Sequence, residues 1–61
     1  MKLDDYINKN GMNYTRFSKL IGVSPQSVHH YAKGKSIPAV NVMRKIYQET
    51  DGLVSANDFY F

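Results

Sequence analysis

A single glycine, Gly22, joins two short stretches of helical periodicity, and the residues around it leave few ways for those stretches to pack. Upstream, Asn13 is a good N-cap, and Phe17, Leu20 and Ile21 recur at helical spacing as far as the glycine. Downstream, Ser24 can cap a second helix with Pro25 in its first turn, where the missing N–H costs nothing. Val28 and Tyr31 form the inward side of that helix, and Gly34 ends it. Two helices crossing at roughly 90–120° through a short turn need a residue that tolerates positive φ at the bend, which Gly22 supplies. Close approach of the second helix needs a small side chain four residues earlier, and Ser18 stands there. Phe17, Ile21, Val23, Val28 and Tyr31 provide apolar anchors on both sides, so all seven requirements fall within the fifteen residues from Phe17 to Tyr31.

The remaining punctuation predicts an all-α fold, a compact bundle of four to five helices. Leu3, Tyr6, Ile7 and Asn10 follow a helical period, with Asp4 and Asp5 near the positive end of the helix dipole and Gly11 as the stop. Pro38 opens a longer helix carrying Val40, Met43, Ile46 and Tyr47, and Gly52 breaks it. Ser55-Ala-Asn-Asp58 has the form of a capping box, which predicts a last turn running through Phe59, Tyr60 and Phe61. No segment of six residues alternates with period two, leaving at most a short strand at Leu53–Val54 or in the C-terminal aromatics. Residues 1–61 are expected to form one domain, with helix two at about 14–21 and the helix after the bend at about 25–33.

Composition narrows the function classes. An apolar share of 43% is enough for one core, and the absence of cysteine excludes disulfides and thiolate metal sites. No apolar run approaches the ~18 residues of a membrane span and no signal peptide opens the chain, so a soluble cytoplasmic protein with no membrane partner is expected. The charges are segregated: Asp4 and Asp5 lie at the front and Glu49, Asp51 and Asp58 at the back. Between Tyr6 and Gln48 there is no acid, and that stretch holds seven of the eight basic residues. A cationic surface around two helices joined by a tight bend suits a DNA duplex.

An enzyme is not expected. The chain has no glycine-rich phosphate loop and no nucleophile beside a base motif, and Asp4-Asp5 at a terminus is a poor acid–base pair. So small a bundle also has little room for a substrate pocket, so no cofactor and no small-molecule substrate are anticipated. His29 and His30 do not make a metal site, because adjacent helical residues point about 100° apart whereas two ligands on one face need i,i+4 spacing.

Phe17-Ser18, Ile21-Gly22-Val23-Ser24, Val28, Tyr31, Gly34 and Pro38 together resemble the signature of the Cro and phage-repressor type of helix–turn–helix, the XRE-like or lambda-repressor-like DNA-binding domains. The resemblance covers roughly Asn13 to Ile46. The ending Thr50-x-Gly52-x-Val54-Ser55-x-x-Asp58-Phe59 is also similar to the tails of small Cro-like phage and prophage regulators. It implies a bundle that binds operator DNA, usually as a two-fold dimer, with the helix after the bend in the major groove. The implied function is a sequence-specific transcriptional regulator that represses by occupying an operator. The chain departs from the pattern at Tyr14, where the family often has Gln, and at Ser18, where it often has Ala.

With Val28 and Tyr31 turned inward, the third helix exposes Pro25, Gln26, Ser27, His29, His30 and Lys33. Gln26 can pair with both hydrogen-bonding atoms on an adenine edge, worth roughly 1–3 kcal/mol of discrimination. Ser27 can meet several bases, His30 lies one turn on, and the ring of Pro25 can touch a thymine methyl. Contacts that position without reading sequence are assigned to Asn13, Tyr14, Arg16, His29, Lys33, Lys35, Ser36 and Asn41. Lys9, Lys19, Arg44 and Lys45 read as ordinary solvated surface.

The C-terminal residues Leu53, Phe59, Tyr60 and Phe61 are candidates for a weak homodimer, with Leu53 and Phe59 closing the monomer core and Tyr60 or Phe61 meeting the partner. The rival reading folds all of them back onto the first and fourth helices. A two-fold dimer would place near-palindromic half-sites about 34–36 Å apart. Two other functions stand beside operator binding: a protein-interaction module of adaptor or antitoxin type on the same fold, or the DNA-binding part of a longer repressor.

Overall fold

Asn13 and Ser24 act as their residue types dictate. The Asn13 carboxamide oxygen accepts the amide proton of Arg16 at 2.8 Å, and the Ser24 hydroxyl oxygen accepts that of Ser27 at 3.2 Å. The computed structural model, which describes residues 1–60, has four α-helices and one terminal 3-10 turn. These are α1 (Leu3–Lys9), α2 (Tyr14–Ile21), α3 (Pro25–Ala32), α4 (Val40–Glu49) and the turn Ala56–Phe59. The chain is all-α, with no strand among the described residues.

Between α2 and α3 lie only Gly22, Val23 and Ser24. Gly22 adopts left-handed backbone angles, φ 73° and ψ 32°, and the amides of Gly22 and Val23 both donate to the Ser18 carbonyl, at 2.9 and 3.1 Å. That pair of bonds closes α2 while the left-handed residue redirects the chain. Ser18 is buried at the helix crossing, and its hydroxyl donates to the Thr15 carbonyl at 2.7 Å. A serine therefore fits at this crowded position, because its hydroxyl is satisfied within its own helix.

The core is built from Leu3 and Ile7 of α1, Phe17 and Ile21 of α2, Val28 of α3, Ile46 of α4, and Val54 and Phe59 beyond it. Tyr6 meets Phe17 edge-on, with ring centroids 6.2 Å apart. Burial of each large apolar side chain contributes about 1.5–3 kcal/mol. α2 packs most extensively on α3, and the pair is seated on α4 through α2 and on α1 through α3.

Several residues at the apolar helical spacings, and Leu53 of the C-terminal segment, lie outside the core. Leu20 is 44% exposed, because the buried side of α2 is Phe17, Ser18 and Ile21. Val40 is 76% exposed and Tyr47 53%. The inward stripe of α4 runs through half-buried Val42 and Met43 and buried Ile46 to its C-cap Thr50, sharing Met43 and Ile46 with the apolar spacing but leaving Val40 and Tyr47 outside. α4 begins at Val40 after Ala39, and Pro38 precedes the helix as a buried residue rather than opening it. Leu53 remains 51% exposed, and Val54 takes the core position expected of it. The last turn is 3-10 and stops at Phe59. Tyr60 is extended (φ −109°, ψ 144°), while Phe61 lies outside the described residues.

Candidate nucleic-acid interface

α3 is fixed from below and open above. Val28 is fully buried, and Tyr31 and Ala32 pack against the core, so the opposite side of the helix is presented outward. Pro25 and Gln26 are exposed in its first turn, Ser27 and His30 are half-buried, and Lys33, Lys35 and Ser36 are exposed at and beyond its end. The hydroxyls of Ser24 and Ser27 lie 3.0 Å apart, which ties Ser27 to the cap and leaves Gln26 as the freest polar group in that turn. The amide of Lys35 donates to the His30 carbonyl at 2.9 Å, holding the exit from α3 against its last turn.

Asn13, Tyr14 and Arg16 gather at the N-terminus of α2, with Asn13 and Arg16 exposed and Tyr14 half-buried. Tyr14 lies edge-on to His29, with ring centroids 5.5 Å apart, and His29 in turn is 5.9 Å from His30. The start of α2 and the outer side of α3 are thus joined by a short aromatic row. Asn41 is exposed in the first turn of α4.

One residue in this region was not among the expected contacts. Asp4 of α1 accepts a hydrogen bond from the Tyr14 hydroxyl at 2.8 Å, and its other oxygen is 3.3 Å from the Lys33 ammonium. The Tyr14 bond holds the Asp4 carboxyl below its ordinary range, against the opposing effect of partial burial, and Lys33 adds to the lowering. Burial and the bond to Asp4 raise the Tyr14 phenol, and the same carboxylate raises Lys33. Sequence gave no hint of this triad, since its members are 10 and 29 residues from Asp4. The only local signal, an acid in the first turn of a helix, has a sufficient explanation in the helix dipole.

A short helix, a left-handed glycine bend and a second helix with an open polar side define a helix–turn–helix. A family model described as helix-turn-helix matches residues 3–48, and the chain belongs to that family, whose XRE-type members are DNA-binding regulatory domains. Neither the curated proteins nor the solved structures give a significant match to the chain. Among the described residues, no helix is long and apolar enough to cross a membrane.

Proposed function

We propose that this protein is a Cro-like transcriptional repressor, a single DNA-binding domain that lays α3 in the major groove of an operator and excludes polymerase from it. The observation that carries the reading is the outward side of α3, where Gln26 and His30 are presented one turn apart and Lys33 and Lys35 follow. Gln26 reads an adenine edge, His30 meets a base or nearby phosphate, and Ser27 and Pro25 make less selective contacts. Asn13, Tyr14 and Arg16 at the start of α2 position the backbone from one side of the helix–turn–helix. His29, Lys33, Lys35, Ser36 and Asn41 do so from the other.

The operator is near-palindromic and the protein meets it as a weak homodimer. An apolar groove lined by Pro38, Val40, Met43, Arg44, Tyr47, Ala56 and Tyr60 supports this reading, and Leu53 adds a further exposed apolar side chain. Phe59 is only 6% exposed and contributes to the core instead. The test is a selection of bound sequences from random duplex DNA, repeated with Gln26→Ala. Loss of preference at one base pair per half-site supports the reading. An unchanged motif, or no preference in the unaltered protein, refutes it.

A further inference from the structure

We infer that Asp4 acts as an internal stand-in for a DNA phosphate, gripping Tyr14 and Lys33 in the free protein and giving them up when the duplex arrives. The inference rests on the reading of Tyr14 and Lys33 as DNA-backbone contacts. Its basis is geometric: one anionic group is held by a hydroxyl at 2.8 Å and an ammonium at 3.3 Å, drawn from α2 and from the end of α3. A neutral hydroxyl beside a cation is also the donor pair that would hold two oxygens of a phosphate. Both charged groups are accessible, the Lys33 side chain 47% and that of Asp4 31% exposed, so an incoming anion can compete for them.

The charge pattern gives the contact its weight. The sequence from Tyr6 to Gln48 contains no acid, yet α1 brings a carboxylate into that cationic middle. While it stays there it cancels Lys33 and repels a phosphate approaching the same donors. Binding is then an exchange of one anion for another, and an intramolecular ion pair must open before Lys33 engages DNA. Asp4 is thus an affinity-limiting residue that never touches base or backbone. Asp5 is the natural control, because it is the same acid on the same helix, is exposed, and its carboxylate has no hydrogen-bond or ion-pair partner among the described residues.

The experiment compares Asp4→Asn with Asp5→Asn in binding to a short mixed-sequence duplex at one ionic strength. Both variants gain from the lost negative charge, but Asp4→Asn should bind about two- to fivefold more tightly than Asp5→Asn, the range expected when an exposed ion pair no longer has to be opened. In a Tyr14→Phe, Lys33→Gln background that difference should vanish. A second measurement needs no substitution: in the unaltered protein, NMR titration of the side-chain carboxyls should show Asp4 moving further up than Asp5 when duplex is added. Asp4→Asn binding no more tightly than Asp5→Asn, a difference that survives in the double background, or equal movement of the two carboxyls would overturn the inference and leave the DNA reading intact. Failure of the unaltered protein to bind duplex would overturn both.

Discussion

The hydroxyl of Thr50 accepts the amide proton of Val54 at 3.1 Å, inside the core, while donating its own proton to the Ile46 carbonyl at 2.8 Å. One side chain thus joins the last turn of α4 to the segment that carries Val54 and Phe59 inward. Thr50 is 1% exposed, so its bonds are made out of reach of water. Thr50→Val keeps the shape but strands the Val54 amide, and should cost about 1–3 kcal/mol of stability. Thr50→Ser keeps the hydroxyl and loses a methyl, at about 1 kcal/mol. Urea denaturation of both variants tests this. Thr50→Val at the stability of the unaltered protein would mean that the bond contributes nothing.

Gly22 is required by its backbone and not by space. A β-carbon there would lie 3.6 Å from the Lys45 ammonium, an ordinary contact with the end of a flexible chain, yet φ is +73°. Gly22→Ala should therefore destabilise by about 1–2 kcal/mol, while Gly22→Asn, which tolerates left-handed angles better, should lose less. Thermal unfolding of the two variants checks the order. Equal losses would point to a steric cause that the packing does not contain.

The features of the sequence that proved legible are the local ones. Asn13, Ser24 and Gly22 act within three or four residues of themselves, so their residue types suffice to set the caps and the bend. The outward side of α3 was legible for the same reason, because Val28 fixes which way the helix faces. Val40 and Tyr47 misled because apolar residues at spacing three and four define two overlapping stripes on α4. A buried threonine, invisible to a hydrophobic pattern, completes the true one. Leu53 and Val54 are adjacent and equally apolar, and only the path of the chain after Thr50 decides between them. The link from Asp4 to Tyr14 and Lys33 could not be read at all, since it depends on how α1 sits against α2 and the end of α3.

Stability should carry an acid limb. The Ser55 backbone amide donates to the Asp58 carboxylate at 2.8 Å and holds it below its ordinary range despite partial burial, with the chain's terminal ammonium adding to the effect. Asp4 is lowered too, chiefly by Tyr14. A carboxyl lowered by folding contributes stability that is fully present above its unfolded value and is lost as pH falls through the folded one. Melting temperature should thus be level through neutral pH and fall progressively below roughly pH 5. Asp58→Asn should be less stable at neutral pH and show a shallower acid decline. A parallel decline in that variant would remove Asp58 as a source of the limb.

Reading and positioning should separate in their response to salt. Each phosphate neutralised adds about −0.9 to the slope of log affinity against log salt, so four to six contacts per monomer give a slope of roughly −4 to −5. Lys35 is exposed just beyond α3 and has no ring to stack or fork to read a base. Lys35→Gln should weaken binding to all duplexes alike and reduce the slope by about 1 for each bound monomer. Gln26→Ala carries no change of charge, so it should leave the slope unaltered while reducing discrimination at one base pair by about 1–3 kcal/mol. Titrations at several salt concentrations on matched and mismatched duplexes distinguish the two. If Lys35→Gln altered sequence preference, or Gln26→Ala altered the slope, the division of labour between the outward side of α3 and the residues flanking it would be wrong.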